Sequence, residues 1–68
     1  MASIDGKVGS NIRKSRKAKK LSLEALAKAS GVSYTAIHRI EKGLHEARLA
    51  TLEKIAKGLG IQAKSLRK

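Results

Sequence analysis

With Ile37 and Ile40 set toward a core and each residue advanced by about 100°, Tyr34, Thr35, His38, Arg39 and Lys42 gather on the outer side of one helix. All five side chains carry hydrogen-bond donors, and Tyr34 stands at the leading edge. Their types match the acceptors on base-pair edges. An arginine such as Arg39 bonds bidentately to guanine, His38 can donate to guanine N7 or O6, and Thr35 can bond a base edge or touch a thymine methyl. Each good pairing is worth about 1–3 kcal/mol of discrimination. Lys42, one turn farther on, suits a phosphate. The same face would also serve as the solvated side of an ordinary surface helix, and Tyr34 is equally suited to half-buried packing.

Other chemistries find less support. His38 and His45 are separated by a turn containing Gly43, the nearest carboxylates are Glu41 and Glu46, and there is no cysteine, so no metal site is expected. No serine has an evident base partner, and 68 residues are too few to enclose a substrate. The chain reads as a non-enzyme with no cofactor. Sixteen Lys and Arg against five Asp and Glu give a net charge of +11, which calls for a polyanionic partner, either nucleic acid or an anionic membrane surface. Tyr34 is the single aromatic residue, whereas membrane anchoring and single-strand stacking favour several. Double-stranded DNA is the better match.

These side chains need a frame, and the punctuation of the chain supplies one. Asp5 is an expected N-cap for a first helix over about 6–18, preceded by a flexible arm over 1–6. Ser22 caps a second helix over about 23–29, which Gly31 can end in a left-handed conformation. Ser33 caps the third, over about 34–42, and Gly43 stops it. After a loop over 44–48, Leu49, Leu52, Ile55, Ala56 and Leu59 mark one face of a fourth helix, ended by Gly60, and 61–66 allow a final short turn. The expectation is an all-α, compact five-helix fold, with one domain over 7–68. A domain this small buries only roughly 60% of its unfolded surface, so a second copy or DNA would help stabilise it. No apolar run reaches the roughly 18 residues of a membrane span and no signal-peptide stretch is evident. The expected address is cytoplasmic, associated with the nucleoid.

The segment 23–42, LEALAKASGVSYTAIHRIEK, answers a more specific requirement. Two helices meeting at a wide angle need a small residue at their contact, a turn residue tolerant of positive φ and a branched apolar anchor in the second helix. Ala27, Gly31 and Ile37 supply them at spacings of four and six. This segment resembles the helix-turn-helix of the Cro and lambda-type repressor family, also called the xenobiotic response element family. Upstream, IRKSRKAKKLS is similar to the family's first helix and its join. Downstream, IEKGLHEARLATLEKIAKGLGI is similar to its Ile-Glu-x-Gly, Leu-x-x-Leu-x-Lys-Ile-Ala and Leu-Gly-Val signatures. Each motif alone is weak; their joint order covers about 8–66.

The resemblance implies a lambda-repressor-like fold whose third helix enters the major groove, with Tyr34, Thr35, His38 and Arg39 at the bases. Arg13, Lys17, Ser33, Lys42, His45 and Arg48 are the expected backbone contacts. Seven basic residues and no acid between positions 7 and 20 reinforce the helix 1 side. The family also often pairs the positions of Arg16 and Glu41 as a structural ion tie. The implied activity is that of a transcriptional regulator, a repressor or controller, binding a palindromic operator as a homodimer and occluding a promoter or contacting RNA polymerase. An antitoxin-like or coactivator-like protein-interaction module of the same fold is the alternative. Leu44, Leu49, Ile61 and Leu66 are the expected dimer surface, with the N-terminal arm as a second option.

Four positions depart from the family's wording. Leu23 stands where glutamine is usual and cannot make that amide's contacts. It is left to touch a thymine methyl, a sugar or a partner protein. Ser15 replaces a core leucine, which should loosen the first helix. Ala47 and Arg48 replace proline and a hydroxyl cap at the start of the fourth helix, at a cost of about 1 kcal/mol, and Arg48 opposes the helix dipole.

Overall fold

The computed structural model describes residues 4–67. Five helices follow one another: α1 (Ile4–Ala18), α2 (Leu23–Ser30), α3 (Tyr34–Glu41), α4 (Leu49–Leu59) and α5 (Ala63–Leu66), with no strand among the described residues. The all-α expectation holds.

Local signals account for most of the boundaries. Ser22 Oγ accepts from Ala25 N at 3.0 Å and Ser33 Oγ from Ala36 N at 3.2 Å, so each hydroxyl satisfies a first-turn amide that the helix cannot. Gly31 lies at φ 75° and returns its N–H to Ala27 O at 2.9 Å, closing α2. An alanine Cβ there would meet nothing within 4 Å, so φ and not space requires the glycine. Arg48 begins α4 without any side-chain cap bond, as the missing hydroxyl implies.

The start of α1 differs from the sequence expectation. The helix begins at Ile4, so Asp5 lies inside it instead of at its cap, and residues 4–6 are helical where a flexible arm was expected. Positions 1–3 lie outside the described residues. At the other end, Lys20 occupies the left-handed region at φ 57°, and Leu21 N reaches back to Arg16 O at 3.0 Å. This closure has the form of those that use glycine, and no glycine marks it in the sequence.

The core is aliphatic throughout. Val8 and Ile12 from α1, Leu26 from α2, Ile37 and Ile40 from α3, four residues of α4 and Leu66 from α5 are buried together. Leu66 has no exposed surface, so it cannot belong to a dimer surface as the sequence suggested. A single helical turn offers no periodicity from which its inward direction could be read. Ile61 is half-buried and packs against the core, whereas Leu44 and Leu49 are exposed.

Two glycines permit close helix contacts. A Cβ on Gly9 would stand 2.1 Å from Ile40 O, where α1 meets α3, and one on Gly58 would stand 3.0 Å from Ser30 Cβ, where α4 meets α2. Ser15 is half-buried. Two other contacts fasten α1: the close approach at Gly9, and Asn11 Nδ2 donating to Leu66 O at 3.0 Å. Neither was evident from helical spacing.

Candidate nucleic-acid interface

Helix α3 owes its position to its buried edge. Ile37 is fully buried and Ile40 nearly so, and this fixes the rotation of the helix. Tyr34, Thr35, Arg39 and Lys42 are then exposed and His38 half-exposed. The tyrosine and histidine rings, one turn apart, lie nearly parallel at 7°, with centroids 6.3 Å apart, in an offset stack. Tyr34 remains 48% exposed, so the stack does not take it into the core.

Two clefts flank this helix. One, of ≈ 270 Å³, brings Leu23 at the start of α2 and Arg13 of α1 beside Tyr34, His38 and Lys42, with Arg16 and Glu41 also in its lining. The other, of ≈ 180 Å³, lies among Ser33, Thr35, Ala36, Arg39 and His45, and so joins the loop after α3 to the helix's opposite flank. Segments far apart in sequence are thus placed on either side of α3. Lys17 is exposed in the last turn of α1, and Arg48 is exposed ahead of α4; neither lines a cleft.

The sign of the surface is set by which charges are already paired. Arg16 Nε donates to Glu41 Oε2 at 2.8 Å and Nη2 donates to Oε1 at 3.1 Å, while Nη1 donates to Leu21 O at 2.9 Å. The two side chains are 12% and 6% exposed. The Glu41 hydrogen bonds hold the arginine pKa above its ordinary value, against a smaller opposing effect of desolvation. One guanidinium therefore ties α1, the turn before α2 and the end of α3, and it pairs with the carboxylate that shares a cleft with Arg13 and Lys42. Arg13 and Lys42 remain as accessible positive groups in the same cleft.

Leu23 packs partly against the core and partly lines the first cleft. No hydrogen-bonding side chain occupies its position. Ala27, the small residue ahead of the turn, is half-buried against the core. Among the described residues, no group of three or more His, Cys, Asp or Glu could hold a metal ion, and no helix is long and apolar enough to cross a membrane.

A helix-turn-helix family model, HTH_3, matches residues 12–66. Among solved structures, the chain is similar to a restriction-modification controller protein from Aeromonas hydrophila, with 34% identity and a TM-score of 0.88, covering 91% of this chain and 94% of that one. It also resembles an HTH_3 family transcriptional regulator from Vibrio cholerae, with 33% identity and a TM-score of 0.90, over 93% of this chain and 35% of the other. A hypothetical transcription factor from Neisseria aligns at 29% identity and a TM-score of 0.91, over 97% and 76% of the two chains. No curated protein matches by sequence.

Proposed function

The chain belongs to the HTH_3 helix-turn-helix family of non-enzymatic, DNA-binding transcription regulators, and from that premise we propose that it is a sequence-specific regulator acting as a dimer on a palindromic operator. The observation that carries this reading is the exposed face of α3 lying between two clefts, one bordered by α1 and α2 and the other by the loop after α3. In this reading Thr35 and Arg39 meet base edges in the major groove, with Tyr34 and His38 at the outer end. Arg13, Lys17, Ser33, Lys42, His45 and Arg48 hold the flanking phosphates. A net charge of +11 supplies the long-range attraction and the salt sensitivity.

The small controller protein, matched over nearly its full length, supports the controller form of the reading. A symmetric dimer would present two α3 helices about 34 Å apart, one turn of duplex DNA. Leu44 at 74% exposure, Leu49 at 55% and the half-buried Ile61 are the apolar residues left to join the copies.

Selection of bound sequences from random duplex DNA at about 150 mM salt tests this directly. A palindromic consensus is the expected result. Absence of any enrichment would overturn it in favour of a protein-interaction module, for which exposed Leu44 and Leu49 would then be the docking residues.

A further inference from the structure

We propose that Leu23, together with the Tyr34 and His38 rings, receives the C5-methyl group of a thymine at the outer end of each half-site. This inference rests on the DNA-binding reading above and assigns a ligand chemistry to one flank of that surface. Leu23 is a half-buried aliphatic side chain held in place by the core, and it shares its cleft with the two stacked rings. Deeper in the cleft, both Glu41 oxygens accept from Arg16, which also donates to Leu21 O. In a lining that is otherwise polar, the cleft offers a newcomer one aliphatic side chain, Leu23, and the faces of two aromatic rings, beside two exposed cations, Arg13 and Lys42.

That combination selects among ligands. A free phosphate would satisfy the cations and leave Leu23 and the rings wet. An uncharged apolar group would bury the rings and leave the cations unpaired. A thymidine nucleotide supplies both parts, a methyl group projecting into the major groove and a phosphodiester within reach of its own base. Cytosine and uracil lack the methyl, and Leu23 has no donor or acceptor with which to read their edges instead.

The test begins with a specific duplex from the selection. Each thymine is replaced singly by deoxyuridine, and at any responsive position a cytosine–guanine pair is compared with its 5-methylcytosine counterpart. One position per half-site should lose about fourfold in affinity without the methyl and regain about fourfold with it, the scale of one methyl group leaving water. Leu23→Met should keep both responses; Leu23→Ala and Leu23→Gln should lose both, with melting curves recording that each variant is folded. Specific binding with no methyl-responsive position overturns the proposal, as does a response unchanged in Leu23→Ala and Leu23→Gln. Failure to select any specific duplex instead removes the DNA-binding reading itself.

Discussion

Arg16 on α1 and Glu41 at the end of α3 form a two-pronged pair, with Nε and Nη2 donating to separate carboxylate oxygens at 2.8 and 3.1 Å. It fixes the end of α3 to α1, which lies beside it. Removing one partner strands the other in a largely desolvated position, which is costlier than never having had the pair. Glu41→Gln should therefore lower stability by about 3 kcal/mol, while the double variant Arg16→Met, Glu41→Leu should recover most of that loss. Urea unfolding of the unmodified protein and the two variants checks it; equal losses in both variants would deny the tie. Because the arginine pKa is raised, its share of stability is complete below the ordinary arginine range and is lost only as pH climbs through the raised value. Replacing Arg16 with Met should thus leave the slope of stability with pH unchanged at mildly alkaline pH.

Gly9 sits where α1 and α3 touch, and an alanine there would press its Cβ to 2.1 Å from Ile40 O. Helix propensity alone would make Gly9→Ala stabilising by about 1 kcal/mol. Steric exclusion by backbone should win, giving a net loss of about 3 kcal/mol or more. Thermal melting decides the sign, and a raised melting temperature would mean that the helices can separate freely.

Arg48 stands at the start of α4 with extended backbone, φ −71° and ψ 154°, and no side-chain cap bond. Arg48→Ser should restore the cap and relieve the charge–dipole conflict, adding about 1 kcal/mol to stability. The same change removes a proposed phosphate contact and should weaken DNA binding. Stability and affinity moving in opposite directions, by unfolding and by titration, is the expected signature. Affinity unchanged would remove Arg48 from the interface.

Base-reading and backbone-holding residues should separate in their salt and sequence behaviour. Arg39→Ala should cost about 1–3 kcal/mol on the selected site and relax preference at one base pair. Lys42→Ala should weaken all duplexes alike and reduce the salt slope by about one. With about five phosphates neutralised per subunit, the unmodified protein should show a slope of about −4 to −5. A flat salt dependence would contradict the electrostatic share of the interface.

Much of this molecule is written locally. Ser22, Gly31, Ser33 and Gly60 announce helix ends because capping hydroxyls and left-handed glycines act within a few residues of themselves, and Ile37 with Ile40 fixes the rotation of α3 by spacing alone. The four outward residues of α3, its C-cap Lys42 and the all-helical class follow from such signals. Other features depend on which elements meet. Gly9 reads as a helix-weakening residue until Ile40 O is placed against it, and Asn11 reads as a surface amide until the end of α5 arrives. Leu66 is in a turn too short to show a face, yet it is fully buried. Leu23 is only a departure from a family pattern until Tyr34, His38 and the two cations are assembled around it. Capping and periodicity are short-range and survive in one dimension; close approach, ion pairing and the chemistry of a cleft belong to residues that only the tertiary fold makes neighbours.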